Sequence, residues 1–112
     1  MPDSKWSSSE KKVARRAFEA ALDAELAQAL AEFKAQVAAL TDPRDMWDME
    51  PYLRQKRREI DSKYDYRYSR LSWVLAWLLR EGRIQEEQLA GLAEEKLVDI
   101  RDMASLWLRK SD

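Results

Sequence analysis

The chain has 112 residues, with 20 Lys and Arg against 21 Asp and Glu, a formal net charge of -1, two Gly, three Pro, and neither Cys nor His. That length fits one domain or one protomer, and the missing Cys and His exclude thiolate or imidazole metal sites, Cys–His nucleophiles, Ser–His–Asp triads and any disulfide framework. Hydrophobic residues at 46% argue against wholesale disorder, while the longest wholly apolar run, Trp73–Leu79, is far short of the ~20 residues a spanning helix needs.

Met1–Glu10 lacks the charged start and apolar core of a secretory signal, and residues 1–8 are expected to form a disordered N-terminus of a soluble intracellular protein. Ser7 followed by Glu10 fits a capping box, so a helix is predicted from about residue 8. No Gly or Pro interrupts the chain from there to Leu40, and alanine, the best helix former, is abundant. Phe18, Leu22, Leu26, Leu30, Phe33, Val37 and Leu40 make one stripe with a period near 3.67, flanked by Ala17, Ala21, Ala29 and Ala38. A helix of that extent is about 50 Å long. One small chain cannot easily cover it. Packing on its own chain is one solution. A second copy covering part of the stripe, with small alanines permitting close approach, is the favoured one.

Thr41-Asp42-Pro43 ends this helix and starts a short one, with Asp42 as cap and Pro43 at the first helical position. Asp45 and Asp48 suit the positive end of its dipole. Pro51 either kinks this piece or begins the next. From Tyr52 to Glu81 a helical pattern resumes, with Leu53, Ile60, Tyr64, Leu71, Val74 and Leu78 in heptad-like spacing and a break allowed near Asp61–Asp65. Trp73–Leu79 is apolar all round and marks the most buried segment, so at least one of Trp73 and Trp77 belongs to the core. Gly82 supplies a helix C-terminus. Gln85–Leu89 reads as a single helical stretch, and Leu92 to about Arg109 as the last helix, with Leu97, Ile100, Met103 and Trp107 near one face. No strand signal appears, and the fold class is all-α.

Charge is balanced but unevenly placed. Residues 52–70 carry +4 and residues 86–102 carry -4. Mutual attraction between antiparallel helices, or simple solvation, explains this first; a basic docking stripe for an acidic protein is the functional alternative. Tyr64, Tyr66 and Tyr68 interleave with Lys63, Arg67 and Arg70, which suggests base stacking beside phosphate contacts. Helical geometry would send those rings to different faces, however, and nucleic acid is not expected. Carboxylate pairs such as Asp61 and Asp65 sit near Arg57 and Arg58, there is no Gly-rich phosphate loop, and no enzyme is expected. Trp47 lies on a polar piece with little core available. It either lids the helix junction or anchors a partner, because Trp, Tyr and Arg dominate interface hot spots.

The string Asp45-Met46-Trp47, then Lys56-Arg57-x-Glu59-Ile60-Asp61-x-Lys63-Tyr64-Asp65-x-Arg67-x-Ser69, resembles the cyanobacterial fluorescence recovery protein family, regulators of photoprotection. The resemblance continues through Val74-x-Ala76-x-Leu78-Leu79-x-Glu81-Gly82 and Glu87-x-Leu89-x-x-Leu92-Ala93-x-x-Lys96. It implies a long first helix (about 8–40) and a compact helical head (about 42–109) within a single helical domain of residues 9–109, assembled as an antiparallel homodimer. The expected seam holds Leu22, Leu26, Leu30, Phe33 and Val37, with Leu30 at the position of the family's seam leucine. The resemblance also implies binding to the photoactivated orange carotenoid protein, faster return of that protein to its resting form, no cofactor and a cytoplasmic location. Family contact residues fall on Trp47 and Arg57, and a second aromatic position on Trp73. A His-Asp pair of the family is replaced here by Glu50 and Pro51, and a late basic residue by Asp99. Glu50 cannot donate as a histidine can, and Pro51 removes a carboxylate and a backbone N–H. The other reading is a divergent homologue serving as a dimeric helical adaptor for a different protein.

Overall fold

A computed structural model of the chain describes residues 6–111, with side chains through residue 106. Residues 1–5 of the expected disordered segment, and the side chain of Trp107, lie outside the described residues. Among the described residues four α-helices carry the fold: α1 (Ser8–Ala38), α2 (Met49–Lys63), α3 (Leu71–Arg80) and α4 (Glu94–Ser111). Two short 3-10 helices, Pro43–Asp48 and Glu86–Leu89, stand before α2 and α4. Among the described residues no strand forms beyond an isolated bridge between Ala90 and Leu92. The chain divides into two compact units, one holding residues up to Ala21 together with those from Asp65 onward, the other holding Leu22–Tyr64.

In the first unit, the predicted capping box opens α1. The Ser7 N–H donates to Glu10 Oε1 at 3.0 Å and the Glu10 N–H donates to Ser7 Oγ at 3.1 Å. Trp6, read from the sequence as part of a disordered segment, is instead 5% exposed, with the Lys96 ammonium 5.0 Å from its ring centre. Glu10 is also buried, and it accepts the Ala93 N–H at 2.8 Å and the Lys96 ammonium at 3.1 Å. Ala14, Ala17, Phe18 and Ala21 are buried within this unit. The alanines expected to admit a second copy at positions 17 and 21 therefore serve packing within the chain.

The unit's centre is α3 on α4. Leu71, Val74, Leu75, Ala76 and Leu78 are fully buried, as are Ile84 and Leu89 in the connection and Ile100 on α4. Burying each of the Leu, Ile and Val side chains among them is worth roughly 1.5–3 kcal/mol. Gly82, at φ +77°, ends α3: its own N–H reaches Leu79 O, and the next N–H, from Arg83, reaches Leu78 O. This paired closure satisfies carbonyls the last turn would otherwise strand. Gly91, at φ +111°, passes so close to α1 that an added Cβ would lie 2.9 Å from Val13 Cγ2.

The break allowed near Asp61–Asp65 is found there and runs on to residue 70. α2 stops at Lys63, and residues 64–70 are not helical; within them the Arg67 guanidinium donates to the Asp65 carboxylate. The tyrosines at 66 and 68 consequently do not fan out as on a helix. Their rings meet edge to face at 5.6 Å, Tyr66 packs edgewise on Phe18 at 4.8 Å, and Tyr68 lies 6.3 Å from Trp6. Arg15 and Lys11 cover the two tyrosine rings. Rings read as possible base-stacking groups are thus engaged by their own unit.

In the second unit, α1 from Leu22 onward faces α2. Asp42 caps the 3-10 helix through the Arg44 N–H at 3.0 Å, with Pro43 at its first position. Pro51 stands in the first turn of α2, where its missing N–H costs no intrahelical bond. The charges also pair otherwise than expected. Lys63 and Lys56 of the basic stretch reach Glu25 (2.9 Å) and Glu32 (3.9 Å) of α1, and in the acidic stretch Glu86 is met by Arg101 at 2.7 Å.

Candidate functional site

Residues at i, i+4 and i+7 share a helix face. On α1 these are Leu26, Leu30 and Phe33; on α2 they are Leu53, Arg57 and Ile60. The two sets, with Ala29 and Tyr52, line an apolar groove of about 340 Å³ rimmed by Lys56, Arg57 and Asp61. Leu26 and Leu30 are 48% and 53% exposed, and Val37 and Leu53 are exposed as well. Leu22 and Phe33 are half-buried. The long sequence stripe therefore divides by function: Phe18 belongs to a core, while Leu26, Leu30 and Val37 offer apolar surface to solvent.

Polar contacts hold the groove walls. Glu25 accepts the Lys63 ammonium at 2.9 Å and the Tyr64 hydroxyl at 2.7 Å, with both ion-pair partners mostly buried. Phe33 and Tyr52 stack with ring centres 6.3 Å apart. At the rim, the Arg57 guanidinium lies 3.5 Å from the Asp61 carboxylate, and its side chain is otherwise open to solvent. Such a guanidinium can exchange its exposed intrahelical carboxylate for a better-aligned one, since exposed pairs are weak.

Trp47, Glu50 and Pro51 do not line the groove. Trp47 sits on the 3-10 helix and is 73% exposed, so it does not lid a junction. Glu50 and Pro51 are exposed on the first turn of α2, with Glu50 paired to Arg54 one turn on. Trp73 belongs to the other unit. It is 38% exposed and stacks on Trp77 at 5.9 Å and 13°, with Arg70 over the Trp73 ring and Arg80 over the Trp77 ring. Trp77 is half-buried and its indole N–H donates to Glu81. The core of α3 is thus built from its aliphatic residues, and neither indole is fully buried.

The sequence missed Tyr52, Lys56 and Asp61 as groove residues. The available signal was the Leu53–Arg57–Ile60 spacing, which puts a cation and two apolar groups on one face of α2. Among the described residues no cluster of three or more acidic side chains is placed to hold a metal ion, and no helix is long and apolar enough to cross a membrane.

Residues 6–104 match the family described as photoprotection regulator fluorescence recovery protein. Over 101 residues the chain is 41% identical to the fluorescence recovery protein of Synechocystis sp. PCC 6803, covering 90% of this chain and 93% of that one. The solved structure of that Synechocystis protein superposes with a TM-score of 0.81 at 40% identity, covering 89% of this chain and 98% of the other. The fluorescence recovery protein of Fremyella diplosiphon superposes at 0.82 with 34% identity, covering 90% of this chain and 99% of the other.

Proposed function

The chain belongs to the fluorescence recovery protein family of photoprotection regulators, and from that premise we propose that it is a cytoplasmic homodimer that binds the photoactivated orange carotenoid protein and speeds its return to the resting form. The observation that carries this reading is the uncovered groove. Leu26 and Leu30 lie open beside the half-buried Phe33, and covering a large apolar side chain is worth roughly 1.5–3 kcal/mol. A second copy laying its own Leu22–Val37 segment against this one would claim that stabilisation. In this reading the partner-binding residues are Trp47, Glu50, Pro51 and Arg57 of one unit and Trp73 of the other.

A binder accelerates a conformational return only by holding the transition state more tightly than the activated form. In this reading Trp47 supplies apolar area and Arg57 a bidentate grip on a carboxylate, and together they draw separated parts of the partner toward each other. No covalent step is involved. The test is to mix the protein with illuminated orange carotenoid protein, time its recovery in the dark and size the mixture. Faster recovery with a complex supports the reading.

A second reading is favoured by one local feature. Glu50 is engaged with Arg54 and Pro51 has no backbone N–H, so this turn cannot offer the donor and acceptor of a His-Asp pair. An adaptor for a different protein would use the same groove and the same tryptophan. Unassisted recovery, with no complex formed, would favour that adaptor.

A further inference from the structure

We propose that the 3-10 helix Pro43–Asp48 is an acidic, aromatic knob, and that its protein partner presents an apolar recess rimmed by lysine and arginine. This deepens, and rests on, the reading that Trp47 meets a protein. Trp47 and Met46 are consecutive and are 73% and 53% exposed. Two large apolar side chains held in water on a six-residue helix gain nothing for the fold. They match the anchor residues of protein interfaces, where a central tryptophan contributes disproportionately.

The charges around them set what the partner must look like. Residues 42–50 carry four acids, Asp42, Asp45, Asp48 and Glu50, against the single base Arg44. Asp42 is engaged by the Arg44 guanidinium through both carboxylate oxygens, at 3.2 and 3.1 Å, and Glu50 by Arg54. Asp45 and Asp48 have no ion-pair partner among the described residues. Three residues make one turn of a 3-10 helix, so these two carboxylates share one face, next to that of Trp47.

A partner that seats the indole brings its own surface over both carboxylates and strips their water. A neutral or acidic rim leaves that desolvation uncompensated, whereas a basic rim answers it with charge-assisted hydrogen bonds. The two acids also favour the positive end of the adjoining helix dipole. That role is local, and replacing each carboxylate by its amide separates it from recognition.

The experiment measures association of the full chain with immobilised photoactivated orange carotenoid protein under continuous light. The wild type is compared with the pairs Asp45→Asn with Asp48→Asn, and Asp45→Lys with Asp48→Lys. For the amide pair the association rate constant is expected to fall about tenfold at about 50 mM salt, and the gap to shrink at about 300 mM, as screened steering requires. The lysine pair is expected to lose detectable binding. Thermal melts of the amide pair should stay on the wild-type curve. Equal association by wild type and amide pair would overturn the acidic knob while leaving the carotenoid-protein reading intact. Loss of binding by the amide pair together with a lowered melt would also overturn it, because the acids would then be serving the helix. A wild type that does not bind at all removes the carotenoid-protein reading, and this inference falls with it.

Discussion

The Glu10 carboxylate on α1 and the Lys96 ammonium on α4 are 86 residues apart in the chain and 3.1 Å apart in space, with both side chains nearly sealed from water. The same carboxylate accepts two backbone N–H groups, from Ser7 and Ala93, so it joins the starts of two helices. Removing it takes a buried acceptor from both Lys96 and the Ala93 N–H. Glu10→Ala should cost about 3 kcal/mol, as breaking a buried pair does. A denaturant titration followed by circular dichroism checks the value.

The pH dependence follows from the same site. Burial alone would push the Glu10 carboxyl upward, but the Ser7 and Ala93 N–H groups and Lys96 outweigh it and hold the pKa at about 2 instead of 4.5. A group depressed on folding contributes stability above its unfolded value and loses it as pH falls through its folded value. Wild-type stability should therefore decline as pH drops from 4.5 toward 2, and the Glu10→Gln protein should show a shallower decline over that window. Parallel curves would refute this assignment.

Gly91 offers a backbone test. At φ +111° any side chain is strained, and a methyl group there would also press on Val13. Gly91→Ala should destabilise by about 2 kcal/mol, combining the unfavourable φ with the clash. Adding Val13→Ala should relieve only the clash, so rescue in thermal melts should be incomplete.

For the proposed dimer, Leu30→Glu should put a carboxylate into an apolar seam while leaving the buried residues of either unit untouched. Sedimentation should then give the mass of one chain where the wild type gives two, with helix content unchanged. An unchanged mass would refute the seam.

Trp47→Ala should leave stability within about 0.5 kcal/mol of wild type, because an exposed side chain away from the core contributes little to folding. Complex formation with the photoactivated carotenoid protein should nevertheless be lost. Calorimetry and co-elution read the two effects separately.

The sequence disclosed what is local and withheld what is not. The Ser7–Glu10 box, the Asp42 cap and the Gly82 terminus are each written within a few residues, and each is found where expected. Glu10's links to Ala93 and Lys96 span most of the chain, so no spacing announces them. The stripe from Phe18 to Val37 is continuous by period, yet periodicity cannot say where a chain's own packing ends; burial of Phe18 and exposure of Leu30 show the change. Tyr66 and Tyr68 fall in a segment, 64–70, that is not helical, so helical spacing does not describe how their rings meet. Family resemblance alone names Arg57, and the fold sets it beside Leu26 and Leu30, a grouping that exists only once α2 lies on α1.

The near-parallel Trp73 and Trp77 indoles bring two strong ultraviolet chromophores close enough for their transitions to couple. Their coupling adds lobes of opposite sign to the ordinary helical bands in circular dichroism in proportion to the skew between the two in-plane transition dipoles. The protein thereby carries an intrinsic optical gauge of α3, which vanishes when either ring is replaced by leucine and needs no added dye.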